Sequence, residues 1–337
     1  MKVLLATDFH VGFKPKSNVT TTSAQRWAGA SLQQARDVSL KGESRIMLGD
    51  MFDKYSNPES VIQAGREIVG CYDLVLSGNH DVHNVEGTVG SLQLIADERV
   101  HFTHEHDSCV THVFHGDSAE FTALCHYYTQ AQFEQALRTA CDKASVHPSP
   151  KYLLLHCNVG NGYEEVTEGS ASLYLTDELR ELAEGAFDRI LVGHEHNARK
   201  VSEKTQVLGN HFPLSFGQMT DKFVWWLDTE TNELTPEKVW DSKQFASVPH
   251  SALAGMDKSG LQFIEVTGTV TAEEHASLLK EVVKTWKECD WLLGIRNKTT
   301  VHTAADAKPI SRTMNFAELL RGQIEAAGYK DLLDELA

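Results

Sequence analysis

No stretch of this chain approaches the ~20 consecutive apolar residues that a membrane span needs. The opening MKVLLATD has a single Lys and too short an apolar run for a secretory leader, so a cytoplasmic location is expected. The six cysteines (Cys71, Cys109, Cys125, Cys141, Cys157 and Cys289) show no paired spacing, which argues against a disulfide framework and fits a reduced compartment. Basic residues are in deficit: 31 Lys and Arg against 47 Asp and Glu leave a net charge of −16. A chain so acidic is repelled by a polyanion at long range. A nucleic-acid substrate would therefore require local basic patches, bound cations or a basic partner. The remaining composition, 41% hydrophobic and 8% aromatic over 337 residues, is that of a globular chain long enough for one large domain and a smaller one.

What the sequence does have, five times over, is a short apolar run that stops at a metal-capable side chain. LVLSGNHD (74–81) ends in Asn79, His80 and Asp81 behind Gly78, the pattern of a buried strand closing in a tight turn. VLLATDFH (3–10) ends in Asp8 and His10, and RIMLGD (45–50) ends in Asp50. YLLLHC (152–157) delivers His156, and RILVGHEH (189–196) delivers His194 and His196. Runs of this kind suit strands buried on both faces, whose carboxyl ends are where open α/β sheets place ligands. Residues two apart in an extended chain point the same way, so Asp8 with His10, and His194 with His196, can each address one point. Seven mixed oxygen and nitrogen ligands exceed what one tetrahedral zinc takes. They suit two metals about 3.5–4 Å apart. A set of core histidines would have to explain ligand-type residues at every strand end, although charged groups are seldom buried unpaired.

The order D-x-H, GD, GNHD, H, GHxH resembles the calcineurin-like metallophosphoesterases, over residues 1 to about 230. The segment VLGNHFPLSFGQMTDKFVWWLDTE (207–230) narrows the resemblance to the nuclease subunit of the bacterial SbcCD complex and its archaeal, eukaryotic and phage relatives. In them a PLSFG-like stretch follows GHxH; here Asn210 and Gln218 stand where Ser and Glu are common. Some of these relatives carry a histidine where this chain has Asp53.

The expected fold is α/β, a layered β-sandwich flanked by helices, with a small α/β capping domain and a C-terminal helical tail. Residues 1–245 read as the phosphoesterase domain. A helix is expected from about Ser23 to Leu40, with Trp27, Leu32, Ala35 and Val38 as its buried stripe, and Pro58 opens the next. Residues 109–128 read as a hairpin around GDSAE. Residues 246–304 read as the small domain: a strand (261–270), a helix with a Thr271–Glu274 capping box, and a further strand (291–301). Residues 305–337 read as a linker and helices with two apolar stripes. The resemblance implies that this tail docks on an SMC-like ABC ATPase, the nuclease being a homodimer within a heterotetramer.

Phosphodiester hydrolysis needs a nucleophile at neutral pH and neutralised phosphate charge, and a two-metal site supplies both. Asp50, alone on its strand end, is the expected bridging carboxylate, and Asn79 is expected to bind through its carbonyl oxygen. His80 is left to protonate the leaving oxygen, with Asp81 holding its ring. Hard and borderline ligands admit Mn, Fe or Zn. The favoured reading is a Mn²⁺-dependent DNA exonuclease or endonuclease in repair, recombination or replication. The alternatives are a small-molecule or nucleotide phosphoesterase, which the acidic charge favours, and a non-catalytic interaction protein, which the intact ligand set disfavours.

Overall fold

The computed structural model describes residues 1–15, 21–83, 88–102, 110–112, 119–144, 150–160, 173–257, 259–285 and 292–301. The tail expected at 305–337 lies outside them.

Among the described residues, two six-stranded sheets carry the larger part of the chain. The first has the order β14 (Glu233–Trp240), β13 (Lys222–Asp228), β1 (Lys2–Ala6), β2 (Ser44–Leu48), β3 (Leu74–Leu76) and β4 (Val100–His101). Strands β1 to β4 run parallel, and β13 closes antiparallel on β1. The second has the order β11 (Arg199–Lys200), β12 (Thr205–Val207), β10 (Arg189–Gly193), β7 (Lys151–His156), β6 (Glu120–Leu124) and β5 (Val110–His112). Its central strands β12, β10, β7 and β6 are parallel, and β5 pairs antiparallel with β6; residues 113–118, where the hairpin turn is expected, lie outside the described residues.

Alternation along each strand builds the layers. Val3, Leu5, Ile46, Leu48, Leu74 and Leu76 of the first sheet pack against Phe121, Ala123, Tyr152, Leu154 and Leu191 of the second. The intervening residues face outward onto helices. Leu4, Ala6, Met47 and Val75 meet Ala35 and Val38 of α1 (Thr21–Ser39) and Ala64 and Ile68 of α2 (Glu59–Val69). Leu153, Leu155, Ile190 and Val192 meet Phe133, Ala136 and Leu137 of α3 (Gln130–Ala144) and Leu179 and Ala183 of α4 (Asp177–Ala186). The central strands β1, β2, β3, β7 and β10 are thus covered on both faces, which is why they read as unbroken apolar runs rather than alternating ones. The expected layered α/β sandwich is the observed fold.

A third sheet is β15 (Phe245–Pro249), β16 (Phe263–Thr267) and β18 (Gly294–Asn297), all parallel. Helix α5 (Ala272–Thr285) lies between β16 and β18 in sequence. It starts at a reciprocal capping box: Glu274 accepts from the Thr271 backbone N–H at 2.8 Å, and Thr271 Oγ1 accepts from that of Glu274 at 3.2 Å. Short pairs β8 (Asn158–Val159) with β9 (Tyr174–Leu175) and β17 (Thr269–Val270) with β19 (Thr300–Val301) complete the strands.

The buried stripe of α1 is divided between two neighbours. Ala35 and Val38 face the first sheet, but Trp27 turns to the third, with its ring 4.7 Å from Phe263 and 5.6 Å from Phe216. Its indole N–H donates to the Pro213 carbonyl at 2.8 Å. Trp27, Phe212, Phe216 and Phe263 therefore seat the small sheet beside the loop that follows the GHEH segment. No helix among the described residues is long and apolar enough to cross a membrane.

Candidate metal centre

The seven ligand-type residues singled out in the sequence converge at the carboxyl ends of β1, β2, β3, β7 and β10. They do so by a backbone route the sequence did not announce. Asp8 (φ 57°), His10 (φ 47°), Asp50 (φ 51°) and His194 (φ 84°) all lie in the left-handed region. His156 is still the last residue of β7, whereas at β1, β2 and β10 the strand ends first and a left-handed turn aims the side chain. A non-glycine residue there costs on the order of 1–3 kcal/mol and persists where the surroundings over-determine it. Four such residues at one edge mark a site.

Two groups form side by side. Asp8, His10 and His196 offer ligand atoms to one point, and Asp50, His156 and His194 to another. In the first, the Nε2 atoms of His10 and His196 are 3.1 Å apart and lie 3.8 and 3.6 Å from Asp8 Oδ1. Asp8 Oδ2 is occupied, accepting from the Thr7 hydroxyl at 2.5 Å and the His194 backbone N–H at 3.0 Å. Oδ1 is buried and has no hydrogen-bond partner. An orphaned carboxylate oxygen facing two imidazole nitrogens fits a cation.

In the second group, Asp50 Oδ2 lies 3.2 Å from His156 Nε2 and 3.7 Å from His10 Nε2, so one oxygen reaches both groups. Its other oxygen accepts from the His80 backbone N–H at 2.9 Å. A Cβ at Gly78 would come within 2.2 Å of that oxygen, so this turn requires glycine. Asn79 Oδ1 sits 2.8 Å from His194 Nδ1 and 3.2 Å from His156 Nε2, placing a neutral oxygen in the same group. His156 Nδ1–H donates to the Leu48 carbonyl at 2.7 Å, which turns Nε2 toward Asp50 and Asn79 as the nitrogen that would meet a cation once it has lost its proton. Residues of these two groups could hold two divalent metals.

The protonation pattern follows from burial and charge. Burial alone would raise the Asp8 and Asp50 carboxyls, but surrounding histidines outweigh it and hold both well below the ordinary carboxylate range. Burial lowers His156, yet the charge and hydrogen bond of Asp50 win and push it up to about 9. Burial and neighbouring histidine charge take His194 down to about 4 and His196 down to about 3. Ionised carboxylates and the neutral rings of His194 and His196 are in the forms that bind cations, whereas the carboxylates raise His10 and His156, which would have to give up a proton first.

His80 and Asp81 do not make the contact expected of them. His80 Nδ1 lies 2.7 Å from the backbone carbonyl of Asp53. Asp81 instead accepts from three backbone N–H groups, those of Gly78 (3.0 Å), Phe52 (2.9 Å) and Met51 (3.1 Å). It pins the Asp50 turn to the GNHD turn and holds no ring. The reason is geometric: residues 50–53 run back across the GNHD loop, so the carbonyl of residue 53 reaches the imidazole first. Asp53 also brings its carboxylate within 3.7 Å of His10 Nδ1, and it shares a third potential metal group with His10 and His80.

Two further residues belong to this edge. His126 follows β6 in the same apolar-run-then-histidine construction as the others; it is buried, and its backbone N–H donates to the Ser77 carbonyl at 3.1 Å. Burial and the charge of His156 lower it to about 3. Gln218 lies 2.6 Å from His196 Nδ1 through its amide nitrogen. Its signal was its place in the PLSFGQ segment. His83, two residues past Asp81, packs edge-on against Tyr55 at 4.4 Å rather than entering either group.

No family model and no curated protein matches the chain. Among solved structures, an archaeal phosphodiesterase matches at 15% identity and a TM-score of 0.34, over 71% of this chain and 99% of that one.

Proposed function

We propose that the chain is a two-metal phosphodiesterase acting on DNA. The observation that supports it is the pair of adjoining ligand groups linked by Asp50, with a buried unpartnered Asp8 oxygen turned into the first. Two divalent ions there would lower the pKa of a bound water and neutralise phosphate charge. The chain's own residues do the rest. Asp8, His10 and His196 would hold one ion, Asn79, His156 and His194 the other, with Asp50 placed between the two groups. His80 carries its Nδ1 proton to the Asp53 carbonyl, and its ring stands 4.8 Å from that of His10, beside the metals. From there a protonated Nε2 can supply a proton to a leaving oxygen.

DNA as substrate rests on the PLSFG segment and on the additional α/β unit seated beside it, neither of which a minimal phosphoesterase needs. Mn²⁺, an SMC-like ATPase docking on residues 305–337, assembly as a homodimer within a heterotetramer, and a cytoplasmic role in DNA end processing complete the proposal. The net charge of −16 favours a second reading, a phosphoesterase for small or nucleotide substrates.

The deciding assay offers end-labelled duplex DNA and a p-nitrophenyl phosphodiester with Mn²⁺, with and without the ATPase. Cleavage of DNA that the ATPase and ATP stimulate supports the nuclease. Turnover of the small diester alone, with no ATPase association, transfers the assignment to the second reading.

A further inference from the structure

His126 stands at the ligand edge and enters neither ligand group. It follows β6, which runs parallel to β7 with Leu124 level with Leu155, so the chain reaches His126 just past the level of His156. Its backbone N–H donates to the Ser77 carbonyl at 3.1 Å, tying it to the turn that carries Gly78 and Asn79. The side chains on either side of it are committed elsewhere. Cys125 Sγ donates to the His101 carbonyl at 3.1 Å, and the Tyr127 ring packs against Phe133 with centroids 6.3 Å apart. The His126 ring is left within electrostatic reach of His156, Asp50, His194 and His80.

His126 is 7% exposed, yet neither ring nitrogen has a hydrogen-bond partner among the described residues. Buried polar side chains are paired in the large majority of cases, so an unpaired one calls for a reason. The nitrogens are not sealed in the core, as His10 Nδ1 and His211 Nδ1 are; the little surface that His126 keeps includes them. In either protonation state an imidazole has at least one N–H to donate. Asp50 does not take it, since one of its oxygens accepts from the His80 backbone N–H and the other faces His156 Nε2. A donor fixed beside two cation-binding groups has one acceptor suited to it, a phosphate oxygen drawn in by the cations.

We propose that His126 is a substrate-binding residue that donates its ring N–H to a non-bridging oxygen of the scissile phosphate. The inference rests on the two-metal reading of the site and adds to it a phosphate contact made by the chain itself. His80 stands beside His10 of the first group, and His126 adjoins the strand that ends in His156 of the second. The two histidines divide the work: His80 serves the leaving oxygen, and His126 serves an oxygen that stays on phosphorus. Loss of His126 should therefore cost the same whatever the leaving group, which sets it apart from His80.

The test is calorimetric titration of the Mn²⁺-loaded full chain with inorganic phosphate, for wild type, His126→Phe and His126→Gln. Each metal-free chain is titrated with Mn²⁺ alongside. His126→Phe keeps the bulk of the ring and removes the donor. It should weaken phosphate binding by about 10–100-fold, the range for a hydrogen bond to a charged group, and leave Mn²⁺ binding unmoved. His126→Gln restores an N–H donor and should recover most of the loss, and it carries the test if the Phe variant does not fold. In His126→Phe, kcat/KM should fall by one factor on a diester with a poor leaving group and on a p-nitrophenyl diester alike. Unchanged phosphate affinity in both variants, or wild type that takes up Mn²⁺ but no phosphate, would overturn the proposal. Weakened Mn²⁺ binding would make His126 a metal ligand instead, and a loss that shrinks on the p-nitrophenyl diester would make it a proton donor; either overturns the proposal too. Wild type that binds no Mn²⁺ would overturn the metal reading itself, a result distinct from these.

Discussion

Asp50 Oδ2 stands 3.2 Å from His156 Nε2 in a setting where both side chains are almost wholly buried, so the two form an ion pair in the absence of metal. Removing one partner of a buried pair leaves the other uncompensated, a change worth about 3–5 kcal/mol. The same carboxylate oxygen lies within reach of both ligand groups, 3.2 Å from His156 and 3.7 Å from His10. Asp50→Asn is therefore expected to reduce the affinity for both ions, by more than the about 10–100-fold that loss of an outer partner causes. Metal content per chain, measured after dialysis, checks this. Two tightly held ions in the variant would mean that Asp50 does not span the site.

His156 gives the metal-free protein a pH signature. Its folded-state value lies at about 9 against an ordinary 6.5, so the charged ring is stabilised by folding. That contribution is fully present below about pH 6.5 and is lost as pH rises through about 9, amounting to roughly 3 kcal/mol. Thermal midpoints of the chelated protein should fall across that window, and His156→Gln should flatten the fall. Metal demands the neutral ring, so binding should release protons near neutral pH, visible as a dependence of the binding heat on buffer ionisation enthalpy. Identical heats in every buffer would contradict the assignment.

His80→Ala should keep metal and substrate binding and lose turnover by about 10²–10⁴-fold on a substrate with a poor leaving group. On a p-nitrophenyl diester, whose leaving group needs no proton, the loss should shrink. Equal losses on both substrates would exclude His80 as proton donor.

Asp81→Ala tests the reassignment of that carboxylate. It exposes three buried backbone donors, at Gly78, Met51 and Phe52, each costing about 1–3 kcal/mol when left unpaired. The expected result is a lower melting temperature and faster hydrogen exchange at those three amides. A variant that melts like wild type but turns over slowly would return Asp81 to the role of ring partner.

The layered fold and the positions of the ligand residues were legible because both depend on strands buried on two faces. The apolar runs 3–6, 152–155 and 190–192 have no polar face to hide, and the ligand-type residues at their carboxyl ends had to sit at the sheet edge. What the sequence could not convey was contact between segments. Asp81 is adjacent to His80 in the chain, yet the Asp53 carbonyl is its neighbour in space, because two loops from different strands fold across one another. The left-handed backbone at Asp8, His10, Asp50 and His194 was equally invisible, since none of these residues is glycine. Trp27 had the helical spacing of its stripe but met the small sheet, whose place beside α1 no periodicity records.

The wide separation of the ligands along the chain bears on when the centre can form. His10 and His196 are 186 residues apart, and Asn79 and His194 are 115 apart. The first sheet alone brings Asp8, His10, Asp50 and Asn79 together but contributes none of His156, His194 or His196. The complete ligand set exists only after the second sheet has docked. Contacts this distant are late in folding, because loop closure has to precede them. Under the proposed two-metal reading a cation would therefore have no intact cage in the folding transition state and would act on the native side of the barrier. On that reading chelation should quicken unfolding and leave the refolding rate where it was, the ions lengthening the lifetime of the folded chain without helping it to fold.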